Sequence, residues 1–134
     1  MPLGRRVIVV DDDRAVLASL DALFWVRDYS VRTFESGLSL VRELPNLSPS
    51  CIVTDFDMRG LNGTALVKTL RLEAGVDWPV IVIGGRGTPI EIDRALQAGA
   101  FDVLAKPFRP AHLLARVEQA MTTYVATAVP DPLP

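Results

Sequence analysis

The sequence contains one cysteine and one histidine, so it has few of the side chains that bind transition metals. The single cysteine, Cys51, excludes an internal disulfide and a cysteine-based metal site, and its apolar neighbours predict a buried position. No stretch approaches the roughly 20 uninterrupted apolar residues that a membrane helix needs. The first residues also lack the pattern of a signal peptide. We therefore expect a cytoplasmic protein with no membrane-spanning segment.

The sequence also lacks an excess of charge of either sign, with 14 basic and 16 acidic residues and a net charge of −2. Because there is no basic excess, direct binding to nucleic acid is disfavoured. The length suits one domain, which we expect to span residues 1–125. Residues 126–134 contain three prolines and no hydrophobic periodicity, and this composition predicts a disordered tail.

Strand and helix patterns alternate five times along the chain. Short apolar runs predict strands at residues 6–10, 30–34, 51–54, 79–83 and 100–105. Periodic apolar residues predict helices after Asp13, over residues 36–44 and 62–74, from Pro89, and over residues 110–125. Asp13 is expected to cap the first helix, and Thr88 and Glu91 to form a capping box on the fourth. The alternation predicts a single-domain α/β fold, a doubly wound (βα)5 three-layer sandwich with a parallel sheet.

Charged side chains follow three of the predicted strands. Asp11 and Asp12 follow the first strand, Asp55 the third and Lys106 the fifth. The carboxyl ends of parallel strands meet at one edge of a sheet, so these groups come together if their strands are neighbours. Two carboxylates about 4 Å apart repel by roughly 4 kcal/mol at an effective dielectric near 20, so the group needs a cation. Oxygen ligands without histidine or cysteine favour Mg²⁺ or Mn²⁺.

A metal ion and an ammonium group beside Asp55 would suit attack on a phosphoryl group, with an aspartyl phosphate as the product. For any one of these aspartates taken alone, the alternative interpretation is a structural role in a turn or as a helix cap.

Several short motifs, in this order and spacing, resemble the response-regulator receiver domain of bacterial two-component signalling. They are VVDDD at 9–13, VTDFDM at 53–58, Gly63, AGAFD at 98–102 and KPF at 106–108. The resemblance runs from about residue 5 to residue 124. It implies the fold of chemotaxis regulators, which is flavodoxin-like with a five-stranded parallel sheet of order 2-1-3-4-5.

The resemblance also implies roles for individual residues. Asp55 would be the phosphoacceptor, and Lys106 would contact the phosphoryl group. Mg²⁺ or Mn²⁺ would be held by Asp11, Asp12 and Asp55 together with the backbone carbonyl of Asp57. The peptide bond between Lys106 and Pro107 would be cis.

The same resemblance implies partners. A sensor histidine kinase or phosphotransfer protein would donate the phosphoryl group from a phosphohistidine. A downstream protein or output domain would bind the face made by the fourth helix, fifth strand and fifth helix, and a homodimer is possible there. The chain would not be an enzyme beyond phosphorylating itself from small donors and dephosphorylating itself.

The sequence departs from the receiver pattern at two switch positions. Receivers normally have Ser or Thr where this chain has Gly84, and Tyr or Phe where it has Val103. A hydrogen bond to a charged group is worth roughly 1.5 to 3 kcal/mol and allosteric couplings about 1 to 3, so losing the hydroxyl would remove the usual switch. The backbone amides of Gly84 and Gly85 are one possible replacement, although a flexible turn is the favoured interpretation of the glycine-rich loop. Arg59 replaces the usual proline, where it either assists phosphoryl binding or is solvated.

Two other functions compete with a switching receiver. In a pseudo-receiver the acids persist, but phosphorylation does not change the conformation, and the chain is a constitutive interaction module. In a haloacid-dehalogenase-type phosphatase, Asp55 and Asp57 would be nucleophile and acid/base. The phosphatase is disfavoured because the acidic pair precedes this motif, whereas in those enzymes it follows.

Overall fold

The computed structural model describes residues 4–127, and five parallel strands form its central sheet. The strands are β1 (Arg6–Val10), β2 (Ser30–Phe34), β3 (Cys51–Asp55), β4 (Val80–Ile83) and β5 (Asp102–Leu104). Their order in the sheet is β2-β1-β3-β4-β5, and every neighbouring pair is parallel. The predicted order 2-1-3-4-5 is confirmed. β5 is shorter than predicted, and β3 extends to include Asp55 itself.

The helices alternate with the strands as predicted. They are α1 (Arg14–Trp25), α2 (Gly37–Glu43), α3 (Gly63–Lys68), α4 (Pro89–Ala98) and α5 (Pro110–Thr127). Asp13 caps α1 by accepting from the backbone amides of Ala15 and Val16, and α4 begins with the predicted capping box. α5 continues to Thr127, so the prediction that the disordered tail begins at residue 126 is wrong for its first two residues. The rest of the predicted tail, residues 128–134, lies outside the described residues.

The third helix differs from the continuous helix predicted over residues 62–74. α3 ends at Lys68, and the chain continues as a π-helical segment, Thr69–Glu73. Inside this segment Arg71 donates hydrogen bonds to the carbonyls of Val76, Trp78 and Gly99, with donor–acceptor distances of 2.8, 2.7 and 2.8 Å. Burial lowers the pKa of Arg71. One guanidinium therefore joins the end of the third helix, the loop before β4 and the residue that ends α4.

Alternate strand residues face two separate hydrophobic cores. Val7 and Val9 pack with the core beneath α1 and α5, whereas Ile8 and Val10 pack with the core beneath α2, α3 and α4. Every residue of β3 is buried, because the central strand is covered on both faces. This burial confirms the three-layer sandwich and explains the continuous apolar run that predicted the strand.

β5 lies at one edge of the sheet, and one of its amides bonds a side chain of the same strand. The backbone N–H of Val103 donates to Asp102 Oδ1 at 2.8 Å. The other carboxylate oxygen of Asp102 accepts from Arg116 Nε on α5 at 2.6 Å. The carboxylate of Asp102 thus joins this edge strand to the last helix.

Within residues 4–127, none of the helices is both long and apolar enough to cross a membrane.

We predict that Arg71→Met lowers the free energy of unfolding by about 1–3 kcal/mol, because the three carbonyls lose their donor. Urea unfolding measures this loss. The control is Lys68→Met, the same kind of change at an exposed cation of α3, which should shift stability by less than about 0.5 kcal/mol. Equal losses in both variants would contradict the prediction.

Candidate functional site

The structure brings together the three aspartates that the sequence places after β1 and at the end of β3. The two strands are neighbours, with Val10 opposite Thr54, so Asp11 and Asp55 lie side by side. One carboxylate oxygen from each of Asp11, Asp12 and Asp55 lies within 4.8 Å of the others. Asp11 and Asp55 are buried, with 1% and 7% of their surface exposed, while Asp12 is exposed. The cluster therefore opens to solvent on the Asp12 side.

Burial, with a contribution from neighbouring negative charge, disfavours the ionised form of the two buried acids, Asp11 and Asp55. Burial, and then the charge of Asp11, raise the pKa of Asp55 to about 6, against the opposing effect of Lys106. Burial also raises the pKa of Asp11. Both shifts arise chiefly because burial disfavours the charged carboxylate.

The two carboxylate oxygens of Asp11 differ in their hydrogen bonding. Asp11 Oδ1 accepts from the backbone amide of Asp13 at 2.9 Å, but Asp11 Oδ2 is buried and has no hydrogen-bond partner among the described residues. A buried polar atom without a partner is costly and calls for an explanation such as an ion. Three carboxylates that converge on such an atom fit a hard divalent cation with oxygen ligands.

Lys106 lies on the other side of Asp55. Its Nζ is 3.4 Å from Asp55 Oδ1, and its side chain remains 45% exposed. It follows β5, which is separated from β3 only by β4, so the sheet order brings the ammonium close to Asp55. The cis peptide predicted between Lys106 and Pro107 is confirmed.

Asp57 and Arg59 lie at the rim of the cluster. Both are exposed, and the charge of Asp57 is among the smaller causes of the raised Asp55 pKa. Arg59 contacts the cluster through its backbone amide, which donates to Asp12 Oδ2 at 3.2 Å. The predicted role of the Asp57 carbonyl in metal binding stays a prediction.

Gly84 lies against the carboxylate of Asp55, at the position that the sequence indicates. Its φ is +101°, and a Cβ added here would be 2.6 Å from Asp55 Oδ1 and 3.7 Å from Lys106 Cε. The Gly84 amide donates to the carbonyl of Leu104 at 2.9 Å and is therefore already used within the fold. The structure thus contradicts the idea that this amide is available to a phosphoryl oxygen.

The rest of the loop, through Gly87, is also closely packed. Gly85 and Gly87 have φ values of +74° and +72°, and a Cβ on Gly87 would be 2.7 Å from Ala105 Cβ. Gly84, Gly85 and Gly87 all have left-handed φ values and close neighbours, so this conformation of the loop favours glycine at the three positions. The flexibility predicted for the turn stays a prediction.

Val103, the other departure from the receiver pattern, is half-buried on β5. It packs against the core beneath α2, α3 and α4 and is paired with Val82 of β4. An aliphatic side chain here has no hydroxyl and no ring that could move toward Gly84.

The sequence did not predict two contacts near the site. Glu91 was expected only to cap α4, but its Oε1 also accepts from the amide of Arg86 at 3.0 Å. Asp13 was expected only to cap α1, but its backbone amide also donates a hydrogen bond to Asp11 Oδ1. The glycines clustered before the capping box were a signal for the contact between Glu91 and Arg86. The position of Asp11, two residues before the helix cap Asp13, was a signal for the contact between those two residues.

An open parallel sheet with a carboxylate cluster and a lysine at its carboxyl edge defines a class of protein, the flavodoxin-like receiver fold. The family model described as response regulator receiver domain matches residues 7–118, and the chain belongs to this family. It is thus a receiver domain of the kind found in two-component response regulators, which are signalling proteins.

Individual relatives agree with this family. The transcriptional regulatory protein PrrA of Mycobacterium leprae is 39% identical over 123 residues, which are 92% of this chain and 52% of PrrA. The transcriptional regulatory protein FixJ of Bradyrhizobium diazoefficiens is 34% identical over 116 residues, which are 86% of this chain and 56% of FixJ. This chain spans about half the length of these curated relatives.

Solved structures give the same fold. The crystal structure of FixJ-N superposes with a TM-score of 0.82 at 28% identity, covering 89% of this chain and 94% of that one. The solution structure of the beryllofluoride-activated NtrC4 receiver domain dimer superposes with a TM-score of 0.81 at 28% identity, covering 90% and 98%.

We predict that Gly84→Ala weakens Mg²⁺ binding and lowers the free energy of unfolding by about 1–3 kcal/mol, because the residue keeps a left-handed φ and the methyl group meets Asp55. Calorimetric titration with Mg²⁺ and urea unfolding measure the two effects. The control is Gly75→Ala, where φ is +64° but no atom lies within 4 Å of the added Cβ. That variant should lose stability without losing Mg²⁺ affinity, and a similar loss of affinity in both would contradict the prediction.

A second prediction concerns pH. The folded-state pKa of Asp55, about 6, lies above its ordinary value of 3.8, so the folded state binds the extra proton. The contribution of Asp55 to stability without metal should therefore be greatest below pH 4 and fall as pH rises toward 6. Urea unfolding in EDTA should show that Asp55→Asn gains stability over the native chain as pH rises through this window. A difference that does not vary with pH would contradict it.

Proposed function

We propose that Asp55 accepts a phosphoryl group in a reaction that depends on Mg²⁺ or Mn²⁺, and that the chain signals through protein contacts. One observation carries this proposal. Asp55 is a buried carboxylate with an ammonium 3.4 Å from one oxygen and two further aspartates beside it. Lys106 supplies positive charge on one side of the nucleophile, and a metal ion held by the three aspartates would supply it on the other.

In the proposed transfer, an oxygen of Asp55 forms a bond to phosphorus as the bond from phosphorus to the donor's histidine nitrogen breaks. The leaving nitrogen keeps the electron pair, and the imidazole takes up a proton. Because its pKa is about 6, Asp55 is mostly ionised at neutral pH and available as the nucleophile. Lys106 would bind the oxygens of the transferred group.

The proposed metal ligands are the carboxylates of Asp11, Asp12 and Asp55 and the backbone carbonyl of Asp57. A bound Mg²⁺ would supply the positive charge that offsets the phosphoryl oxygens during transfer. The unpartnered Asp11 Oδ2 supports this assignment. Backbone donation from Asp13 to Asp11 and from Arg59 to Asp12 would orient two of the carboxylates.

The proposed donor is a sensor histidine kinase or a phosphotransfer protein. The proposed output surface is the face of α4, β5 and α5, which would bind a downstream protein, an output domain or a second copy of the chain. Exposed apolar side chains on α4, Ile90 and Leu96, support this choice. The receiver domain of NtrC4 is described as a dimer in its beryllofluoride-activated form.

A pseudo-receiver is the second candidate, because Gly84 and Val103 lack the groups of the usual switch. In that case the acids would bind metal, but the modification would leave the output face unchanged. The phosphatase alternative has no support from the family to which the chain belongs. We infer a phosphoacceptor domain that at most phosphorylates itself from small donors and loses the group by self-dephosphorylation.

We predict that acetyl phosphate with Mg²⁺ produces one acid-stable, hydroxylamine-sensitive phosphoryl adduct on Asp55. Mass spectrometry of the intact chain and of its peptides detects the adduct, which should be absent in Asp55→Asn and in EDTA. The control is Asp57→Asn, which keeps the backbone carbonyl and should still form the adduct.

Two results would count against the proposal. A native chain that binds Mg²⁺ but forms no adduct would contradict a phosphoacceptor role. Steady turnover of an aryl phosphate, lost in Asp57→Asn, would instead support the phosphatase.

A further inference from the structure

The loop between β4 and α4 contacts both halves of the proposed site with its main chain. Gly84 leaves no room for a side chain beside Asp55 Oδ1, and Gly87 leaves none beside Ala105, which precedes Lys106. A phosphoryl group formed on Asp55 Oδ1 would add three oxygens on the side of the carboxylate that Gly84 already contacts closely. Either the carboxylate or the loop must therefore shift when the group is attached.

Glu91, in the first turn of α4, holds the other side of this loop. Its Oε1 accepts from the backbone amides of Arg86 at 3.0 Å and Thr88 at 3.3 Å. Thr88 Oγ1 accepts in return from the Glu91 amide at 3.2 Å. A Cβ on Gly85 would lie 3.2 Å from Glu91 Oε1 and 3.1 Å from the ring of Phe56, the residue after the acceptor. The loop and the start of α4 thus form one hydrogen-bonded unit.

The other end of α4 is held separately. The carbonyl of Gly99, which ends the helix, accepts from Arg71 Nη2 at 2.8 Å. A Cβ on Gly99 would lie 2.9 Å from Arg71 Nε, so the guanidinium is packed directly against this residue. A force applied through the loop would therefore move the first turn of α4 more than the last.

We infer that Glu91 is a positioning residue that couples Asp55 to the first turn of α4 through the main chain of residues 84–88. This coupling takes the place of the hydroxyl and the aromatic ring that are absent at Gly84 and Val103. It ends at Ile90, which is 65% exposed at the start of the proposed output face. The inference rests on the proposed function, since it requires a phosphoryl group on Asp55.

The test uses the whole chain, Mg²⁺ and beryllofluoride, with amide chemical shifts as the readout. In the native chain we expect shifts around Asp55 and in the first turn of α4, with smaller shifts at Ala98 and Gly99. In Glu91→Ala the shifts around Asp55 and the beryllofluoride affinity should persist, while those in the first turn should fall below about half of the native values.

Two further variants separate coupling from helix stability and surface charge. Glu91→Gln keeps an oxygen that accepts both amides and should retain the native response. Asp93→Ala removes a carboxylate of α4 that accepts a hydrogen bond from Gln97 on the same helix. This variant should also respond to beryllofluoride like the native chain.

Each result bears on a different claim. Unchanged first-turn shifts in Glu91→Ala, or an equal loss in Glu91→Gln, would overturn the inference. So would native shifts that are larger at Gly99 than at Ile90, a result that requires no variant. A native chain that binds Mg²⁺ but shows no beryllofluoride shift around Asp55 would overturn the proposed function, and the coupling with it.

Discussion

The repulsion among buried carboxylates at one edge of the sheet is the constraint on which the site depends. Asp11 and Asp55 are held together because β1 and β3 are hydrogen-bonded neighbours buried between two hydrophobic cores. The free energy of that packing keeps the carboxylates close although their charges oppose it. Because positive charge relieves this repulsion, the site favours the binding of cations. Lys106 supplies part of that charge permanently.

Much of the fold was predictable because its signals are local. Apolar runs followed by aspartates placed the strand ends, and the caps at Asp13 and Thr88 fixed where two helices begin. The grouping of Asp11, Asp12, Asp55 and Lys106 followed from a general property of parallel sheets. Their strand order came from the family resemblance, since hydrophobic pattern alone does not specify which strands are neighbours.

Features that depend on distant contacts were not predictable. The change to a π-helical segment at Thr69 accompanies hydrogen bonds from Arg71 to carbonyls as far along the chain as Gly99. The loop at Gly84 reads as a flexible turn in sequence, because glycine is common both where a chain is free and where it is closely packed. Only the proximity of Asp55 and Ala105 distinguishes these two cases. In this conformation a side chain at position 84 would meet Asp55 Oδ1, so glycine fits the loop here as well as departing from the family pattern.

The hydrogen bond from the Val103 amide on β5 affects whether this edge of the sheet can pair with another molecule. An edge strand with free amides can add a strand from another molecule and begin a continuous β-sheet between chains. Here the amide of Val103 is already bonded to Asp102, whose other oxygen is held by Arg116. The Val103 amide is therefore not free to pair with a strand of another molecule. This arrangement disfavours edge-to-edge pairing of sheets at β5, which is one route by which sheet proteins aggregate.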